Sequence, residues 1–305
     1  MENSNDRTYQ SLKVVKIGIY GNIILAIFKI VLGIFSFSFA LIADGIDTTS
    51  DVVKSMLVFR AVKIASKPPS SDYPYGYGRA ETIVTSVVGT SVLFTAILIF
   101  IEAIKGIEKP EVIGSLMVIG ALVSILGKIV LSFYTFHVGK KFSSQVLLAN
   151  AKDYLSDVFA SGAVLIGGVL ILLTHDPIFD PLASIIVSGI IGFIGVEIVK
   201  SSIPEIMEKE SSPEMVNAVD RIVKEIPYAF HPHLVRIRKL GPYYLVDMHV
   251  ELPGEMSLKK SHEIVTSIEN HIKRQLPNVK EVIIHAEPIG EGKDANWDQT
   301  SYPKS

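Results

Sequence analysis

The sequence predicts an α-helical membrane protein of six transmembrane helices, joined to a C-terminal α+β domain in water. Three observations predict it. Apolar runs long enough to cross a bilayer crowd residues 1–205, whereas charged residues crowd 206–290. Strand-like alternation of apolar and polar residues occurs only in the second region. Acidic residues recur as matched pairs inside two of the apolar runs, where carboxylates are costly. Bulk composition decides less, because a hydrophobic share of 49% is also reached by soluble domains.

A spanning helix takes ~20 mostly apolar residues. The candidates are Leu12–Phe35, Phe37–Ile64, Glu81–Ile104, Val112–Phe136, Gln145–Thr174 and Pro177–Ile203. Ser36 and its neighbours leave a very short turn between the first two. Proline marks three of the other boundaries, at Ser66-Lys67-Pro68-Pro69-Ser70, Lys109-Pro110 and Asp176-Pro177, because it disfavours the α region in the residue before it. Arg7, Lys13, Lys16, Lys63, Lys67, Arg79, Lys140 and Lys141 gather on one side of this arrangement, against Lys105 and Lys109 on the other. The positive-inside rule then puts both termini in the cytoplasm. The opening MENSNDRTYQSLKVVK is polar for too long to be a secretory signal, so the first span is expected to stay as an anchor.

After Ile203 the pattern changes. Pro213–Ile226 has helical spacing of apolar residues, and Leu234–Leu240 and Tyr244–Glu251 alternate as half-buried strands around a Gly241-Pro242 turn. Ser257 is placed to cap an amphipathic helix over Ser257–Leu276, and Glu281–His285 reads as a last strand. The order α-β-β-α-β predicts a small open-faced sandwich over 206–290, with a ferredoxin-like, metallochaperone-like plan. Residues 291–305 are polar and expected to form a mobile tail. A formal charge of −2 without a basic stripe argues against nucleic acid as a partner, and the absence of cysteine excludes disulfides and thiolate metal sites.

The second span carries Asp47-Thr48-Thr49-Ser50-Asp51 and the fifth carries Asp153-Tyr154-Leu155-Ser156-Asp157. Residues at i and i+4 share a helix face, with Cβ atoms ~5–6 Å apart. Two such helices facing one another would collect four carboxylates around one point, which suits a hard dication with oxygen ligands. Four ionised carboxylates at membrane depth need relief, either from protons or from a metal ion. Those two states compete for the same oxygens, which is the physical basis for exchanging protons against metal. Asp44, one turn before Asp47, fits either that site or a hydrogen bond along the helix face. Asn22 and Asn150 are read as interhelical hydrogen-bonding groups.

Two other classes are weaker fits. A channel would spread acidic rings and polar lining over all depths of its pore, whereas these acids are concentrated. An intramembrane aspartyl protease would need only two aspartates and a G-x-G-D element, which Asp44-Gly45-Ile46-Asp47 does not supply.

On these residues the chain resembles the cation diffusion facilitators, from about Leu12 to Pro288. ALIADGIDTTSDVV is similar to that family's second-helix metal motif and NAKDYLSD to its fifth-helix motif. YGYGRAE resembles the segment entering the third helix, and VIIHAEP the final strand of the cytoplasmic domain. The resemblance implies a dimeric transporter that expels a divalent metal by alternating access, driven by inward proton flow. Asp47, Asp51, Asp153 and Asp157 would form its transport site. Arg79 falls where the family has a basic residue that helps hold the dimer, with an acidic partner near Glu208. Zinc members typically place a histidine where Asp153 stands, so the all-aspartate set resembles the manganese branch, and zinc or iron are the alternative substrates. Ser70, Tyr73 and Tyr77 stand where other members place loop ligands, so no accessory loop site is expected. His233, His249, His262, His285 and Glu287 match cytoplasmic ligand positions of zinc-type members, which implies a Zn2+ or other dication in that domain. His231 and His271 have no such match and are read as surface residues.

Overall fold

The protein is seen in a computed structural model that describes residues 2–35, 39–108, 115–174, 178–209 and 213–290. The chain divides into two compact units, Met1–Ile203 and Pro204–Ser305. The expected turns at Ser36, Lys109-Pro110 and Asp176-Pro177, and the expected tail over 291–305, lie outside the described residues.

Six helices build the N-terminal unit: α1 (Glu2–Phe35), α2 (Phe39–Ala65), α3 (Arg79–Glu108), α4 (Ser115–Lys141), α5 (Gln145–Thr174) and α6 (Phe179–Ile206). Among the described residues, four of them are long and apolar enough to cross a membrane, over Asp6–Phe35, Arg79–Gly106, Ile119–Lys141 and Pro181–Ile206. The other two, α2 and α5, are the helices that carry the aspartate pairs. Large apolar side chains such as Ile24, Val130, Phe133, Ile186 and Phe193 point outward from the bundle. That inversion of the soluble pattern is what lipid-facing helices require, since lipid and not water receives those faces.

Val14, Val15, Val58, Val62, Val88, Val92, Leu147, Ile191 and Ile198 fill the interior between the helices. Without a hydrophobic drive between helices in lipid, close approach depends on small residues. Gly45 shows this at the α1–α2 contact: a Cβ built there would lie 2.6 Å from Ile30 Cγ1 and 3.2 Å from the Ala26 carbonyl oxygen. Gly45→Val is therefore expected to destabilise the unit by about 1–3 kcal/mol. A lowered thermal unfolding midpoint in detergent checks it.

Between α2 and α3, Ser70 and Tyr73 exchange backbone hydrogen bonds. Ser70 Oγ lies 2.9 Å from the Tyr77 hydroxyl, and the rings of Tyr73 and Tyr77 pack at 4.6 Å. These three residues bind one another. Just beyond them Glu81, fully buried at the start of α3, accepts from Arg7 of α1 and, at 2.6 Å, from the Ser144 hydroxyl at the α4–α5 turn.

The C-terminal unit contains α7 (Pro213–Lys224), β1 (Phe230–Leu240), β2 (Tyr243–Leu252), α8 (Leu258–Gln275) and β3 (Val279–Pro288). The sheet order is β1-β2-β3. The β1–β2 hairpin is antiparallel and turns at Gly241, whose φ of 61° suits glycine. The β2–β3 pair is parallel, so the chain must cross over, and α8 supplies the crossover. Ser257 caps α8 by accepting from the Lys260 amide, as the sequence predicts. Val219, Val223, Ile237, Val246, Met248, Val250, Ile268 and Ile272 pack between the helices and one sheet face.

The first strand begins four residues earlier than alternation predicts. Its extra length contains irregularities on either side of His233, with His231 and Leu234 both at positive φ. Bulges of this kind break the period of two, which hides the strand from a pattern reading.

Candidate metal centre

In the N-terminal unit the centre is built from α2, α5 and α4. Asp51, Asp153 and Asp157 each offer a carboxylate oxygen, and these oxygens lie within 4.8 Å of one another. Asp51 and Asp153 are buried and Asp157 is half-buried. The helices thus gather three of the four predicted carboxylates. Asp47 is exposed, one turn along α2 from Asp51, and stands outside the group.

Two lysines explain which oxygens meet. Lys54 Nζ lies 2.6 Å from Asp51 Oδ1 and 2.9 Å from Asp153 Oδ1. Lys128 Nζ, buried on α4, lies 2.6 Å from Asp51 Oδ2 and 2.7 Å from Asp157 Oδ2. Each ammonium bridges a carboxylate of α2 to one of α5, and Asp51 is common to both bridges. Asp153 Oδ2 is buried without a hydrogen-bond partner among the described residues.

Other polar groups of the helical unit have partners of their own. Lys29 of α1, also buried, lies 2.8 Å from Asp44 Oδ2 and 3.0 Å from Thr48 Oγ1. Asp44 therefore belongs to an ion pair between α1 and α2. Asn22 donates to Ser55 Oγ at 3.4 Å, an interhelical bond, and Ser55 in turn meets the Tyr154 hydroxyl at 3.1 Å. Asn150 is fully buried on α5, and the interhelical hydrogen bond expected of its amide is not seen among the described residues.

Sequence reading missed Lys29, Lys54 and Lys128. The signal was available: a basic residue inside an apolar span costs about 2.5–3.5 kcal/mol on the lenient insertion scale, so it demands a carboxylate. Lys54 follows Asp51 by three residues, and Lys128 interrupts the run SILGKIVL.

The second group lies on the sheet of the C-terminal unit. Strand register sets His233 opposite His249, and His249 opposite His285, so three histidines form one row across β1, β2 and β3. Glu287 follows two residues after His285 on the same face. His249 Nδ1 lies 2.8 Å from Glu287 Oε1, His233 Nε2 lies 3.4 Å from Glu287 Oε2, and His285 Nε2 lies 3.4 Å from Glu287 Oε1. His233, His249 and Glu287 satisfy the spacing of a metal-ligand group. His262 is exposed on α8 and is not part of it.

His233 Nε2 and Glu287 Oε2 are both buried without a hydrogen-bond partner. Ligand atoms roughly 2.0–2.1 Å from a tetrahedral zinc stand roughly 3.3 Å apart, close to their observed separation, so this donor set fits a dication. The two residues read as surface histidines do other things. The His231 carbonyl accepts from His233 Nδ1, and His271 bonds the Ser267 carbonyl of its own helix. Glu208, the expected neighbour of Arg79, has its Oε2 3.3 Å from Arg238 Nη1.

Helices with lipid-facing exteriors, carboxylates collected inside them and a small α+β domain define a membrane transporter of cations rather than an enzyme. The cation efflux transmembrane domain model matches residues 15–207, and the model for the cation efflux protein cytoplasmic domain matches 211–289. The chain belongs to the cation diffusion facilitator family of metal-ion efflux transporters. It is 34% identical over 295 residues to the manganese efflux system protein MneP of Bacillus subtilis, covering 94% of this chain and 99% of that one. An uncharacterized transporter of Methanocaldococcus jannaschii is 33% identical over 277 residues, covering 90% and 96%. Among solved structures, the metal-bound C-terminal domain of the CzcD transporter from Thermotoga maritima is 31% identical, covers 26% of this chain and 93% of its own, and gives a TM-score of 0.26.

Proposed function

We propose that this chain exports divalent metal cations from the cytoplasm in exchange for protons, with Mn2+ as the favoured substrate and Zn2+ or Fe2+ as alternatives. Asp47, Asp51, Asp153 and Asp157 are the transport ligands in this reading. The observation that carries it is the gathering of Asp51, Asp153 and Asp157 inside the helices, with oxygen as the donor from every residue. Oxygen ligands suit hard cations, whereas zinc accepts nitrogen readily. Asp47 completes the set by turning toward Asp51, its neighbour at i+4 on the same helix.

The transporter works as a homodimer of six-span protomers in the plasma membrane, with both termini in the cytoplasm. Alternating access then exposes the carboxylates first to the cytoplasm and next to the outside. Protons and metal compete for the oxygens, so proton binding on the outer side favours metal release. The carboxylates titrate as one coupled group.

The experiment is a competition uptake series in inside-out vesicles with Mn2+, Zn2+, Fe2+, Co2+ and Cd2+. Mn2+ uptake that persists against the other ions, and is abolished by a protonophore, is the expected result. Uptake of Zn2+ in preference to Mn2+, or uptake indifferent to the proton gradient, defeats it. Asp153→His is expected to move the preference toward Zn2+ by about tenfold, worth ~1.4 kcal/mol, because imidazole replaces a hard oxygen. Equal selectivity before and after would show that this ligand does not decide the metal.

In the cytoplasmic domain, His233, His249 and Glu287 are the proposed holders of a regulatory Zn2+ or similar dication, with His285 beside them. His262, exposed on α8, stands apart from them. Glu287→Ala, which removes the carboxylate that all three histidines face, is expected to weaken Zn2+ binding at that domain at least tenfold. Calorimetric titration of the full-length protein carrying Asp51→Asn, which silences the membrane site, reads it.

A further inference from the structure

The two ammonium groups that bridge the membrane carboxylates sit among the oxygens proposed as transport ligands. Lys54 and Lys128 each stand within hydrogen-bond distance of one oxygen from α2 and one from α5. Both oxygens of Asp51 are engaged, Oδ1 by Lys54 and Oδ2 by Lys128, so a dication that coordinates Asp51 shares an oxygen with an ammonium and is repelled by it at close range. Lys128 is 3% exposed and its ammonium also lies 5.2 Å from the Tyr154 ring. Such a residue is a built part of the site and not a surface lysine resting on it.

Charge sharpens the point. Asp51, Asp153 and Asp157 in ionised form outnumber the two ammoniums by one charge. With both ammoniums in place the group is nearly compensated, and an added dication makes it net positive unless an ammonium withdraws. The lysine stems are long and flexible, so an ammonium can leave a carboxylate without moving a helix.

We infer that Lys54 and Lys128 are tethered counter-cations: they hold the metal-free site together, and their displacement from Asp51, Asp153 and Asp157 accompanies metal binding. This rests on the reading of those aspartates as the transport ligands. It assigns the lysines a positioning role that lowers metal affinity and speeds release, because the returning ammonium replaces the departing metal. No proton need move to or from either lysine. Lys29 plays no part, since its partner Asp44 lies outside the group.

The test uses the purified full-length protein, with Mn2+ as the probe. Lys54→Met and Lys128→Met keep the aliphatic stem and remove the charge. Calorimetric titration at neutral pH is expected to give Mn2+ binding at least tenfold tighter in each, with Mn2+ turnover in proteoliposomes slowed by a similar factor. Lys128→Arg, which keeps the charge, is expected to stay within about threefold of wild type in affinity. Unchanged or weaker affinity in both Met variants overturns the inference. Either Met variant is also expected to unfold at lower temperature without metal and to regain the wild-type midpoint with saturating Mn2+. A Met variant that remains unstable or unfolded with Mn2+ present overturns it as well, since the dication then fails to replace the ammonium. Asp51→Asn and Asp157→Asn separate the two layers. If they lose binding while the Met variants bind like wild type, the lysine role alone is wrong. If they bind like wild type, the metal-centre reading is wrong and the lysine role falls with it.

Discussion

Asp51→Asn is expected to lower Mn2+ affinity by about 100-fold and to abolish metal-driven proton flux in proteoliposomes. Asp51 is the residue common to both lysine bridges, and its two oxygens face Lys54 and Lys128 separately. The amide keeps the shape but loses the charge, and charge-assisted contacts contribute about 1.5–3 kcal/mol each. One such contact to a metal corresponds to the predicted factor, at about 1.4 kcal/mol per tenfold. Asp157→Asn is expected to follow it in direction with a smaller effect, because Asp157 meets one ammonium where Asp51 meets two. Wild-type flux in both variants would sink the transport-site assignment, provided each remains folded by size-exclusion chromatography.

The second large effect concerns stability rather than transport. Glu81→Ala is expected to destabilise the helical unit by about 3–5 kcal/mol, the cost typical of removing one partner from a buried ion pair. Glu81 joins three segments: its carboxylate receives Arg7 from the first helix and Ser144 from the turn between α4 and α5. Removing it leaves a buried guanidinium without that carboxylate. Thermal unfolding in detergent reads the loss, and Glu81→Gln, which keeps an acceptor oxygen for Ser144, is expected to lose less. A Glu81→Ala midpoint equal to that of wild type would show that the three segments are held by other contacts. The same residue opens the third helix in the segment YGYGRAE, so a motif first read as a family resemblance has a packing reason.

Much of the architecture was legible because its causes are local. Apolar length defines a membrane helix, and proline or glycine ends one, so the helical part could be read from composition and breaks. The cap at Ser257 and the turn at Gly241 follow from single residues whose chemistry suits those positions. The start of β1 was not legible, because positive φ at His231 and Leu234 disrupts the alternation that identifies a strand. That irregular stretch is also what carries His233 into register with His249. A row of three histidines across a sheet depends on strand pairing between distant segments, and no spacing within one segment reveals it.

The aspartates divide in the same way. Residue identity and i, i+4 spacing determined that Asp47/Asp51 and Asp153/Asp157 are pairs of hard oxygen donors on two helices. Helix packing decided that Asp51, Asp153 and Asp157 meet while Asp47 faces outward. The charge of Lys54 and Lys128 was written in the chain from the start, but which carboxylates they would bridge was not. The reason is physical: Coulomb interactions in a low-dielectric bundle depend on distances of a few ångströms between helices. The sequence by itself determined the class of ligand and the need for compensating charge. Only the tertiary structure decided that the compensation comes from two ammonium groups, of Lys54 and Lys128, that bridge Asp51 to Asp153 and Asp157.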